Sequence, residues 1–463
     1  MSEPTPPKAG VDAGLWAMLW AAGLLFHYSK PNDRWHLDDP VHIAAVAVFG
    51  LLLARPRSAS VWVLAAFAQL ADAMFTVLTV NDIQMSWTIV SAFHVALLIS
   101  LAGSWHRPPE ERAQAALDDL APALRGSVLV VYFFAVFHKL NSGYFHASNT
   151  TPTDFLERMH LVAPVMEALE AGAWGPQIGL GAEVAVFALI LIPRLRFLGV
   201  LTAFALHFGL GTIGFRQFGI MFPLLLLFLR PPGPAPRVPP ALRRVLPWLL
   251  PPAAVVFLRW NEHASGMDTL LLALFLLPGA VFAADVLRRV RVHGIREVGR
   301  PKLGLDRPGR AVLPALLAAW CLMPYLGITT HPCMTMYSHL SVHSGESNHY
   351  LVPASLQIDA IQSDLVRITS SSSPRRYPLG GKVPRLALRK QIAVDRMRGR
   401  APKWIVWVEG DRELRATRGR LPNPSVLERL PMISFNGPSA MRDARAARSL
   451  NPAPFHGKTR RAD

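Results

Sequence analysis

Apolar residues in this chain come in blocks rather than in alternation. Between residues 11 and 328, runs of about 13 to 20 of them recur, separated by short stretches rich in Arg, Pro and Gly. A block of that length suits a helix with apolar matter on every side, and roughly 20 residues are needed to cross the hydrocarbon core of a bilayer. Composition points the same way, with 51% hydrophobic and 17% charged residues where a soluble domain carries about 25% charged.

Eleven runs are candidate membrane spans: 11–26, 41–54, 61–80, 85–102, 128–140, 178–192, 197–213, 217–229, 245–258, 269–287 and 311–328. Run 41–54 is short and run 245–258 carries Pro247, Pro251 and Pro252, so either also suits a re-entrant segment. Basic residues in the intervening loops provide an internal check, because cytoplasmic loops are enriched in Lys and Arg. The even-numbered loops hold about 19 and the odd-numbered ones about 5. Eleven crossings with a cytoplasmic N-terminus, and everything after residue 328 outside, fit that asymmetry. Lys8 and Asp12 flank the start of the first run, which reads as a retained helix and not as a cleaved secretory signal.

Polar residues can then be placed by depth, at about 1.5 Å of rise per residue. His138, Lys139 and Asn141 fall at the outer end of the fifth span, Glu183 below the outer surface in the sixth, and His207 a little deeper in the seventh. Arg216 and Gln217 follow on the same rim, while Asp72 and His94 lie deeper in the third and fourth spans. A lysine in hydrocarbon costs about 2.5 to 3.5 kcal/mol on insertion scales. Burial favours the neutral amine of a lysine, which makes Lys139 a candidate general base; the Glu183 carboxylate would be either neutral or paired with a cation, with Lys139 or His207 as its natural partner. The structural alternative is that Lys139 and Arg216 extend to the outer headgroups and that His207 is a hydrogen-bonded core histidine.

The stretch Phe137-His138-Lys139-Leu140-Asn141-Ser142-Gly143-Tyr144 resembles the lysine motif of vitamin K-dependent gamma-carboxylases and of their bacterial relatives, the HTTM (horizontally transferred transmembrane) family. His207, followed by Gln217-Phe218-Gly219-Ile220-Met221-Phe222-Pro223, is similar to that family's helix-ending histidine and its Phe- and Gly-containing segment. The resemblance implies a multipass bacterial inner-membrane protein in which Lys139 deprotonates a reduced quinone or similar amphiphile, with His207 as supporting acid/base. It implies a peptide or amphiphilic substrate as partner. Where the carboxylase motif continues with acidic residues and Trp, this chain has Asn141-Ser142-Gly143-Tyr144.

The C-terminal part changes character. The stretch from Pro324 to Pro353, with Ser347-Asn348-His349 ahead of an apolar segment, resembles the junction of HTTM-type proteins, and Asn348 and His349 are candidate lid residues facing Lys139. His331, His339, His343 and His349 raise a zinc site, but their spacing matches no standard zinc motif. Short alternating segments at 365–369 and 404–408 predict a small β-rich domain, with Ser370 to Ser373 and Pro374 as a linker or hairpin tip.

The expected architecture is therefore an all-α polytopic membrane domain over 1–328, a small β-rich extracytoplasmic domain over 329–440, and a basic tail over 441–463. A formal net charge of +17 suggests an anionic neighbour, which outside the cytoplasm is membrane lipid and not nucleic acid; a solvated basic tail with no partner fits these residues equally. Cys321 and Cys333 fall within and just outside the last run, a placement that predicts no disulfide. The expected activity is that of a membrane enzyme with Lys139, Glu183 and His207 as catalytic residues. His138, Asn141, Arg216, Gln217, Asn348 and His349 would hold the quinone. The competing class is a transporter or membrane factor in secretion or immunity, in which the same buried groups would relay protons.

Overall fold

A computed structural model describes residues 11–28, 40–80, 85–146, 174–212, 216–229, 303–326, 338–357, 365–397 and 401–422, apart from short gaps of one or two residues, together with a few isolated positions. The protein is mostly helical, with a small antiparallel sheet near its C-terminus. It divides into two compact units, one comprising Met1–Phe75, Ser86–Phe133 and Gly181–Ala318, the other Thr76–Met85, Phe134–Leu180 and Ala319–Asp463. The C-terminal third thus shares a unit with the segment that carries Lys139.

Helices stand where the apolar runs are. They are α1 (Ala13–Tyr28), α2 (Pro40–Ala54), α3 (Ala59–Val80), α4 (Met85–Gly103), α5 (Pro109–Phe137), α6 (Gly175–Leu191), α7 (Arg196–Thr212), α8 (Arg216–Leu226) and α9 (Pro308–Leu322). Eleven crossings are not what the described residues support. Among them one helix, α5, is long and apolar enough to span a bilayer, and the other apolar helices run to 10–17 residues over the stretches whose side chains are described. Runs 245–258 and 269–287 lie almost wholly outside the described residues. The correction has a physical reason, because an apolar run marks a helix buried on all sides and that is as true of a core helix as of a membrane span.

Helix α5 also begins earlier than its apolar run, 19 residues ahead of position 128. Pro109 occupies the first helical turn with Glu110 and Glu111, where a missing N–H costs nothing and acidic side chains meet the positive end of the helix dipole. The stretch expected to be a charged cytoplasmic loop is therefore helical over most of its length.

The first unit is organised by aromatic packing. Trp16 and Trp20, four residues apart on α1, stack at 4.8 Å, and Trp62, Phe93 and Phe228 close around Trp16 at 5.2–5.8 Å. Both indole N–H groups are used, Trp16 donating to the Leu224 carbonyl at 3.2 Å and Trp20 to His94 Nε2 at 3.2 Å, as buried indoles require. The outward faces are apolar too. Ile99 on α4 is 69% exposed, Leu316 on α9 64% and Phe67 on α3 59%, whereas Gln69 and Asp72 on α3 are fully buried.

Helices α6 and α7 form a tight pair within this unit. Gly199 lies so close to α6 that a Cβ there would stand 2.5 Å from the Ile190 backbone nitrogen, and Arg196 Nε donates to the Ile190 carbonyl at 2.8 Å.

The second unit contains a hairpin of β1 (Val342–His343) and β2 (Glu346–Ser347), and a four-stranded sheet of order β4-β3-β5-β6. The sheet strands are β3 (Leu365–Ser371), β4 (Lys382–Pro384), β5 (Trp404–Glu409) and β6 (Arg412–Thr417). Alternation buries Val366 and Ile368 from β3 with Ile405 and Trp407 from β5, and α10 (Arg385–Met397) adds Leu388 and Ile392 from one face. Ser370 and Ser371 are not a linker; they pair with Val406 and Ile405 after an irregularity that follows Ile368. Serine tolerates this position because the irregularity re-aims the strand.

Gly199→Ala is expected to lower the melting temperature of the purified protein, because the clash is with backbone that cannot yield. Gly50→Ala, inside α2 with nothing within 4 Å, is expected to leave it unchanged or raise it, because Ala exceeds Gly in helix propensity by up to about 1 kcal/mol.

Candidate functional site

Helix α5 ends at Phe137, and the end is where the candidate residues gather. The last carbonyls of any helix lack partners. Here they are met one by one, in part by the chain itself, which tightens as Lys139 N donates to Val136 O at 3.0 Å and Leu140 N to Phe137 O at 3.1 Å. Side chains meet the others. Lys139 Nζ donates to Ala135 O at 3.0 Å, Asn141 Nδ2 to His138 O at 2.7 Å, and His349 Nε2 to Phe137 O at 2.8 Å.

Asn141 is the joint of this arrangement. It is fully buried. Its amide nitrogen also donates to Ser338 O at 2.7 Å, while its carbonyl accepts from Tyr144 N at 2.9 Å and from Asn348 Nδ2 at 3.2 Å. Backbone pairing reinforces the contact, since Asn141 and His349 form an antiparallel bridge, Ser142 N donates to Asn348 O at 3.0 Å, and Tyr350 N to Leu140 O at 3.0 Å. A segment some 200 residues downstream is thereby stitched to the turn that follows Lys139, whose side chain is only 9% exposed.

Aromatic rings wall the same place. His138 Nδ1 pairs with the Tyr325 hydroxyl at 2.8 Å, their rings stack at 5.4 Å, and His349 lies 4.7 Å from Phe137 and 5.0 Å from Tyr325. His349 Nδ1 accepts from Leu351 N and Val352 N, both at 3.1 Å. With Nδ1 accepting and Nε2 donating, His349 is a neutral imidazole. Burial holds its pKa below the ordinary value of 6.5, with the bond to Phe137 O working in the opposite sense.

The structure thus brings together Lys139, His138, Asn141, Asn348 and His349. Glu183 and His207 belong to the other unit. There His207 is buried on α7 and pairs through Nε2 with the Tyr132 hydroxyl at 2.9 Å, with the Phe222 ring tilted against it at 4.9 Å. Glu183 is half-buried on α6. The side chains of Arg216 and Gln217 lie outside the described residues, although their backbone opens α8. Outside them too are His331, Cys333 and His339. Among the described residues no three His, Cys, Asp or Glu side chains come together as metal ligands would, and Cys321 is a buried free thiol.

Three participants were not foreseen in the sequence: Tyr325 as partner of His138, Ser338 as acceptor for Asn141, and Tyr132 as partner of His207. The two tyrosines did carry a signal, because a tyrosine inside an apolar run brings a hydroxyl that must find a partner there. No family model matches the chain, and neither a curated protein nor a solved structure matches it.

The neutral state of His349 has a consequence for stability. Its folded pKa lies below the unfolded 6.5, so the unfolded chain takes up the proton first. The contribution of neutral His349 is therefore complete above about pH 6.5 and is lost as pH falls through the folded value. A scan of melting temperature from pH 7.5 to 5 is expected to fall for the native chain, and to fall less steeply for His349→Gln.

Proposed function

We propose that the protein is a multipass membrane enzyme of the carboxylase-like type, in which Lys139 acts as a general base on a reduced quinone or similar amphiphile. The observation that supports this reading is the buried lysine held at a fully hydrogen-bonded helix end, next to Asn141 and His349. Nothing so elaborate is needed to end a helix. Membrane residence is favoured by the apolar outward faces of α3, α4 and α9, combined with buried Gln69 and Asp72. On this reading the N-terminus is cytoplasmic and the sheet unit extracytoplasmic.

The residue types fit a hydroquinone, a flat ring with a hydroxyl at each end. Phe137, His138, Tyr325 and His349 are ring neighbours, three of them with polar edges. A reduced quinone bound there would supply electrons to oxygen. Lys139, whose Nζ is held at Ala135 O, would take the hydroxyl proton. Asn141 fixes the backbone around Nζ. His349, a neutral imidazole, holds the Phe137 carbonyl beside it. His207, paired with Tyr132, and Glu183 would act as supporting groups.

A second reading, a carrier, is favoured by one observation, the buried pair His42 and Asp72 on α2 and α3. Oxidation of added quinol by the detergent-purified protein separates the two. The enzyme reading expects turnover that falls by about 10²–10⁴-fold in Lys139→Ala, with quinone recovered from lipid extracts of the native protein. Equal turnover in that variant, or none in the native protein, would overturn it.

A further inference from the structure

Asp72 on α3 is fully buried and accepts a hydrogen bond at Oδ1 from His42 Nδ1 on α2. Its second oxygen, Oδ2, has no hydrogen-bond partner among the described residues. Gln69, three residues earlier on the same helix, is also fully buried, and neither its amide oxygen nor its amide nitrogen has a partner among the described residues. Residues three apart lie on one helix face. Three orphaned polar atoms therefore stand within one turn, in the interior of a unit whose outer faces are apolar. Burying such groups unpaired is costly and rare enough to call for an explanation.

Charge decides what would satisfy them. A buried carboxylate is not left uncompensated. A proton on His42 would balance the charge but leave Asp72 Oδ2 and both Gln69 atoms unsatisfied. A cation seated between Asp72 Oδ2 and Gln69 Oε1 would balance the charge and engage both oxygens, and water carried with it could accept from Gln69 Nε2. Neutral His42 still donates to Oδ1 in that arrangement. Two oxygens, one of them charged, suit a hard ion, since carboxylate and carbonyl oxygens prefer hard cations. A single carboxylate suits one positive charge, whereas divalent sites gather several.

We propose that His42, Gln69 and Asp72 form a binding site for a monovalent alkali cation. The proposal does not depend on the chemistry at Lys139. In a carrier the ion would be the coupling ion, and in an enzyme it would be structural.

Melting of the full chain in detergent tests this, in chloride salts of Li⁺, Na⁺ or K⁺ against choline at constant ionic strength. A saturable rise of several degrees is expected with one of the alkali ions, because a ligand that binds only the folded state stabilises it by mass action. Asp72→Asn and Gln69→Leu are expected to lose the rise, while Lys139→Ala keeps it. Identical melting in alkali and choline salts would overturn the proposal, as would a rise that persists in both Asp72→Asn and Gln69→Leu. Should Asp72→Asn fail to fold, Gln69→Leu alone decides, since it leaves the His42–Asp72 pair intact.

Discussion

Helices α3, α4 and α9 turn large apolar side chains outward while polar ones such as Gln69, Asp72 and His94 are enclosed, and the packing of the first unit depends on that inversion. In a water-soluble bundle a helix presents one apolar stripe inward and polar residues outward. Helix α3 does the reverse, with Phe67 exposed and Gln69 and Asp72 enclosed. Enclosed groups of that kind must find partners inside, and most do, as in Trp20 with His94, Tyr132 with His207 and His42 with Asp72. Each such bond links two helices that apolar contact alone would leave free to slide. Specific registration in the first unit therefore comes from polar pairs, and its bulk from tryptophan and phenylalanine packing.

The second unit solves a different problem with the same means. Helix α5 must stop, and its terminal carbonyls, on buried and half-buried residues, need partners. Asn141, Lys139 and His349 serve them instead. Because His349 arrives from a remote part of the chain, ending the helix and anchoring the C-terminal segment are one event. The fixed position of Lys139 follows from that closure.

How much of this could be read from residue order varies with the physics involved. Apolar runs located α1 to α4 and α6 to α8 to within a few residues, and alternation located β3 and β5, because burial on all faces and burial on one face leave distinct periods. What those runs could not tell was the nature of the surrounding medium. The first half of α5 was hidden because Glu110, Glu111, Arg112, Asp118 and Asp119 look like loop chemistry, while the Pro109 start and the alanines between them build a helix. Helix α10 was hidden for a similar reason, its Leu388 and Ile392 diluted by Arg and Lys. At the site, Lys139 with Asn348 and His349 was legible as motifs. The bonds of Asn141 to Ser338 and of His138 to Tyr325 span about 190 residues, and no local pattern encodes a partner at that distance.

Spin labels attached at positions 67, 99 and 316 of the protein in its native membrane, with Cys321 and Cys333 replaced by Ser, report directly on what the apolar outer faces meet. The account predicts frequent collision with dissolved oxygen and infrequent collision with a water-soluble nickel complex at all three positions, the signature of lipid. Frequent collision with the nickel complex would mean that these faces meet water or a detachable partner, and would contradict it.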